Sequence, residues 1–251
     1  MTEARRNRGQ EKRSKVTLSK LTFHKLDWLE YVTIGLGLWF LFYPKPYDIL
    51  FTALLAMPIL GLLLNGLTGR PSISSLVEIS NDDDGSDKYD VADFIDFAAW
   101  IILLRVYLDY EFESFYSMII PGTIAFAIML IILFATHKLI DNTIKSKTWI
   151  YLSLIFNVIL YSYAGTYGAN CVYDNSEPKV YKAEVVGKRV SKRTKGRRTY
   201  YVKVTPWGHH YDKEEIKVSS EHYDEIVIGQ TVNIDLKEGL FNIPWYYIER
   251  Q

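Results

Sequence analysis

The chain has 251 residues, 29 Lys/Arg balanced by 29 Asp/Glu, and one cysteine, Cys171, which excludes an internal disulfide and a cysteine-built metal site. A mean hydropathy near zero hides a split: residues 28–168 hold long apolar runs, whereas 1–27 and 169–251 are polar. Unbroken apolar runs exclude a purely soluble chain, whose apolar residues would recur with helix or strand periodicity.

Residues 1–15, "MTEARRNRGQEKRSK", read as a basic tail. Residues 16–27 place Val16, Leu18, Leu21 and Leu26 on one side, the pattern of a short interfacial helix. Five spans are expected next, at about 28–43, 49–67, 93–110, 116–136 and 149–167. "YPKPY" ends the first. Pro58 and Pro121 sit within later spans, where neighbouring helices satisfy the carbonyl that a proline frees. No small-x-small cleavage pattern follows the first apolar run, so it reads as a retained helix.

The third segment, "DFIDFAAWIILLRVYLDYEFE", carries the most charge. Asp93 and Asp96 would occupy its first turn, where the helix dipole favours carboxylates. Arg105 and Asp109 stand i, i+4 and share a face. These four form a candidate intramembrane polar site, since charge in lipid is costly and often functional. His137 at the inner boundary and Asn157 in the fifth span are lesser leads.

Lys/Arg in short loops mark the cytoplasmic side. Residues 1–27 carry eight. With five spans, the other inside segments carry Arg70 and Lys88, then Lys138, Lys145 and Lys147. The outside loops carry Lys45 alone, with Arg105 near the boundary. The expected location is the plasma (bacterial inner) membrane, with the N-terminus cytoplasmic and the C-terminal domain outside, or periplasmic. Residues 68–91 read as a solvated acidic loop. Its "NDDDGSD" run fails as a calcium loop, because Ser80 and Val91 would stand where acidic ligands are needed.

From residue 169 the pattern turns to period two. Five short strands in about 75 residues suggest a small antiparallel barrel of SH3-like or OB-like type, with a bulge at Gly187 and a helical turn at "SEHYDEI". Its first hairpin concentrates Lys188, Arg189, Lys192, Arg193, Lys195, Arg197 and Arg198, a candidate surface for anions or lipid headgroups. If Val190 points inward, Arg189 and Arg193 share the outer strand face. His209, His210 and His222 with Asp212 suggest metal ligands. Adjacent histidines point to opposite sides of a strand, however, and this stretch reads as a turn, so the expectation is no metal and no cofactor.

No phosphate-cradling glycine loop, GxSxG, HExxH or CxxC motif occurs. The sequence therefore points to a non-enzymatic membrane anchor (28–168) presenting a β-barrel binding or assembly module (169–251). Expected partners are membrane lipids and a protein or envelope polyanion at the β domain, rather than nucleic acid. The alternatives are a small transporter or channel component using the charged third helix, and a membrane-embedded enzyme.

Overall fold

The computed structural model describes residues 27–67, 69–81, 87–140, 147–192 and 198–249, without the side chains of 78–90 or Lys192. The basic tail with its interfacial helix, the acidic run 82–86 and the hairpin tip 193–197 lie outside the described residues. The chain divides into two compact units: residues 1–105 with 123–165, and 106–122 with 166–251.

The first unit is helical. Helix α1 spans Asp27–Phe42, α2 Tyr47–Gly66, α3 Asp96–Asp109, α4 Tyr116–Thr136 and α5 Lys147–Val172. Three of these, α2, α4 and α5, are long and apolar enough to cross a membrane. The expectation of five such spans is corrected on length. Helix α1 has 16 residues and α3 has 14, about 24 and 21 Å at 1.5 Å per residue, against a hydrocarbon core of about 30 Å. Helix α3 is short for identifiable reasons. Ala92–Ile95 form a turn closed by Ile95 N–H donating to the Ala92 carbonyl at 2.8 Å. Beyond its other end, Glu111 and Phe112 are drawn into a strand.

The helices face two environments. Leu29, Phe40, Phe51, Leu54, Phe94 and Ile102 are fully buried. Gly61 gives the Phe94 ring its place: a Cβ there would lie 2.3 Å from the ring. The outward faces stay apolar, with Tyr31, Trp39 and Phe42 exposed on α1, Trp100 and Leu104 on α3, and Ile120, Ile124 and Ile131 on α4. A helix apolar all round belongs in a large core or in lipid. The Tyr161 hydroxyl of α5 donates to the Leu55 carbonyl of α2.

Two neighbours fix the helix directions. Leu29, near the start of α1, reaches Gly61, near the end of α2, so α1 and α2 are antiparallel. The ends of α2 and α4 meet. A Cβ on Gly66 would lie 2.6 Å from Thr136 Cβ, Asn65 Nδ2 is 3.1 Å from His137 Nε2, and Arg70 Nη2 donates to the Phe134 carbonyl at 2.9 Å. Residues 68–91, expected as a loop, contain a 3-10 turn at Ile73–Leu76 and an antiparallel hairpin, β1 Val77–Asn81 with β2 Asp87–Val91. The hairpin pairs Ser80 with Lys88.

The second unit is a nearly closed six-stranded antiparallel barrel. Its strands are β3 Glu111–Phe112, β4 Lys179–Lys192, β5 Arg198–Val204, β6 Glu214–Val218, β7 Thr231–Lys237 and β8 Trp245–Ile248, in the order β3-β8-β7-β4-β5-β6. Period-two positions fill its core: Ala183, Val185, Val202, Val204, Ile216, Val232 and Ile234. The register of β4 on β5 shifts between Val185 and Gly187, the bulge that lets the long β4 pair with β7 at one end and β5 at the other. A short helix, α6 (Ser220–Glu225), is capped by Ser219 Oγ, which accepts from His222 N–H at 3.1 Å. The expected five strands become six because β3, from between α3 and α4, pairs with β8 (Glu111 with Tyr246, Phe112 with Trp245).

The last turns of α5 belong to this unit. Asn170 is fully buried; its Nδ2 donates to the Ile243 carbonyl at 2.8 Å and its Oδ1 accepts from Phe241 N–H at 2.8 Å. Gly239 packs on it at φ +76, and a Cβ there would sit 2.3 Å from Asn170 Nδ2. Asp174, with a side chain 1% exposed, accepts from Ser176 N–H at 2.8 Å, Trp245 Nε1–H at 2.8 Å and Gly239 N–H at 3.2 Å. Burial raises its carboxyl pKa, but these hydrogen bonds and Lys237 outweigh that and hold it below the usual range.

Candidate functional site

The basic hairpin divides on inspection. Lys188 does not face solvent freely. Its Nζ donates to the Ile226 carbonyl at 2.7 Å and to the Tyr223 carbonyl, and lies 4.2 Å from the Tyr223 ring centroid, so it caps the C-terminal end of α6. Arg189 pairs with Glu215 through Nη2 at 2.6 Å and Nε at 2.9 Å and covers the Tyr201 ring. Arg198 is exposed. The side chain of Lys192 and residues Arg193, Lys195 and Arg197 lie outside the description. Val190 is on the surface, so the sorting of the basic side chains that its inward placement would give does not apply.

The charges of α3 and its approach, expected as an intramembrane polar site, are engaged. Asp93, Asp96 and Arg105 are half-buried and Asp109 is exposed, and all four interact with neighbouring groups. Asp96 Oδ1 accepts from Phe97 N–H at 2.5 Å in the first turn of α3. His222 is buried on α6 beside a half-open cavity of about 180 Å³, lined also by Glu225, Gln230 and Glu249. That volume is below the 300–1,000 Å³ typical of small-molecule sites.

A third place was not singled out correctly from the sequence. Trp207 and His210 form an antiparallel bridge closed by Gly208 at φ +54 and His209. The tight turn breaks the alternation of a strand, so the two histidines do not point to opposite sides. Their rings stack at 5.4 Å with an interplanar angle of 21°. Both turn Nε2 towards Glu113, the residue after β3. His209 contacts Glu113 Oε1 directly, and His210 Nε2 lies 3.9 Å from the same oxygen. Of the expected set, His222 and the exposed Asp212 stand outside this group.

The strands hold the group in place. Glu113 N–H donates to the Pro244 carbonyl at 3.0 Å, just before β8. The His210 ring stacks on Trp207 at 4.3 Å, and its Nδ1 is 3.3 Å from Glu214 Oε2 at the start of β6. Glu214 is itself fixed by Trp207 Nε1–H at 3.1 Å and by the Tyr246 hydroxyl, which donates at 2.6 Å. Burial, and then the bond to Glu214, push the Tyr246 hydroxyl pKa up, so it remains a donor. Burial also lifts the Glu111 carboxyl above the usual range; Lys217 opposes this and Glu214 adds to it. Lys217 Nζ donates to the carbonyls of Leu108 and Tyr107, at 3.4 Å for the latter, bridging β6 to the segment that leads into β3. Polar contacts thus connect the rim where the barrel's two edge strands approach.

No protein-family model, no curated protein and no solved structure matches this chain.

Proposed function

We propose that the protein is a non-enzymatic multi-pass membrane protein whose helices anchor a small β-barrel binding and assembly module on the extracytoplasmic face of the plasma membrane. One observation carries the reading. Helices α2 and α4 end side by side, at Gly66 and Thr136, so they run parallel. If both cross, the chain must return between them, and α3 is the return. The antiparallel α1 makes a fifth crossing by the same logic. Short helices of this kind are accommodated by local bilayer thinning and by snorkelling of flanking residues, at fractions of a kcal/mol per Å.

This arrangement puts residue 27, the 66–95 connection and the 137–147 connection at one end of the helices. Those are the lysine- and arginine-bearing segments, which favours that end as cytoplasmic. In chain order β3 follows the opposite end of α3 and β4 follows the opposite end of α5. Engagement of Asp93, Asp96, Arg105 and Asp109 by their neighbours favours a structural role for them over a transport path. With Lys188 bonded to the end of α6 and Arg189 paired with Glu215, Arg198 is the exposed basic side chain left among the described residues of the basic run 188–198 for contact with a protein partner or anionic headgroups.

The test is labelling of single cysteines in a Cys171→Ser background with a membrane-impermeant thiol reagent. Tyr211→Cys, at a side chain 90% exposed on the barrel, labels on intact cells, and Ser75→Cys labels only after lysis. Labelling of both from outside removes the crossing by α3, and the reverse pattern inverts the orientation.

A further inference from the structure

The geometry points to a binding site for one divalent transition-metal ion of the zinc type, ligated by Glu113 Oε1, His209 Nε2 and His210 Nε2 at the barrel rim. The three ligand atoms lie within 4.8 Å of one another. Tetrahedral zinc, with bonds of about 2.0–2.2 Å to nitrogen and oxygen, needs them about 3.3 Å apart. The Glu113–His210 pair, at 3.9 Å, closes to that with a side-chain adjustment of a few tenths of an ångström, while the His209–Glu113 contact, which is shorter, must open to it by rotation of the exposed His209 side chain. Two imidazoles with one carboxylate suit zinc and its neighbours rather than magnesium or calcium, which take all-oxygen sets.

The surroundings of His210 are the second, independent argument. Its Nε2 is buried with no hydrogen-bond partner among the described residues. An unsatisfied ring nitrogen is costly to bury. Its Nδ1 faces Glu214, and a carboxylate there keeps the proton on Nδ1 and leaves the Nε2 lone pair free for a metal. That carboxylate–histidine arrangement is the usual support of a metal-bound imidazole. Glu214 is in turn locked by Trp207 and Tyr246, so the support is rigid on the side away from the ion. His209 is 58% exposed while Glu113 is 15% exposed, which gives the ion an entry path. Three protein ligands leave the fourth position to water or to a group on a partner, the open form of a zinc site.

The test uses the full chain purified in detergent and stripped with a chelator. Zn²⁺ affinity is read by competition with a chromophoric chelator, and geometry by the visible absorption of added Co²⁺. One equivalent of Zn²⁺ is expected, with the intense absorption of four-coordinate Co²⁺. His209→Gln and Glu113→Gln each weaken binding at least about 10-fold, and Glu214→Gln weakens it about 10–100-fold without removing a ligand. Asp212→Asn, an exposed acid outside the group, changes nothing. His209 is exposed enough that its substitution leaves folding intact, so the result is readable even if the Glu214 variant misfolds. Absence of a stoichiometric equivalent, or binding unchanged in both His209→Gln and Glu113→Gln, overturns the site.

Discussion

The two units of this chain differ in how they satisfy buried polar groups: the helical unit has long-range bonds such as Tyr161 to Leu55 and Asn65 to His137, but several of its buried side chains bond within their own helix. In the helical unit, Thr33, Thr136, Asn157 and Ser162 each donate to a carbonyl four residues back in their own helix. In the barrel unit the bonds span the sequence: Asn170 to Ile243, Asp174 to Trp245, Tyr246 to Glu214. A helix in lipid has every backbone group satisfied within its own segment, and its side chains have only to satisfy themselves. A small barrel has little core to spare, and long-range polar bonds help specify it. Local bonds should therefore be individually dispensable, and non-local ones should not.

The largest expected effect is on the fragment 174–251. It lacks β3, Asn170 and the carbonyls that Lys217 caps, so it shows no cooperative thermal transition, whereas the barrel within the full chain does. A cooperative melt of that fragment would break the comparison. Next comes Asn170→Ala, which orphans the Ile243 carbonyl and the Phe241 N–H. At about 1–3 kcal/mol for each buried unsatisfied group, the loss is on the order of 2–5 kcal/mol, measured by denaturant unfolding in detergent.

Asp174→Asn costs about 1–3 kcal/mol near neutral pH by weakening charge-assisted bonds. Its pH signature is more specific. The carboxyl pKa is lowered in the folded protein, so its stabilisation is present above the unfolded value of about 3.9 and is lost as pH falls through the folded value. Melts of the wild type between about pH 5 and pH 2 should show this loss, and the Asn variant should lack that component. Smallest is Ser162→Ala, at or below about 0.5 kcal/mol, because the Val158 carbonyl it contacts already has its helical partner. A Ser162→Ala effect as large as that of Asn170→Ala would erase the distinction between the units.

Legibility in the sequence follows the same division. Helices α1, α2, α4 and α5 could be placed within a few residues because an unbroken apolar run is a local signal. The bulge at Gly187 showed as a slip in parity, and the burial of Val232, Ile234 and Leu236 followed from alternation. Strand β3 was invisible: Glu111 and Phe112 acquire strand character only from β8. The rim group was half visible. "WGHH" is readable as a turn, but nothing in the sequence announces that Glu113, 96 positions earlier, arrives beside it.

Strand β3 also has a consequence in time. Glu111 pairs with Tyr246, 135 positions later, so at roughly 5–20 residues per second the nascent chain holds that segment unpaired for about 7–27 s. On the proposed crossing pattern, α4 and α5 both enter the membrane within that interval, because they separate the two halves of the ladder, and a chain with either left behind would be unable to bring β8 to β3 and would keep an open sheet edge.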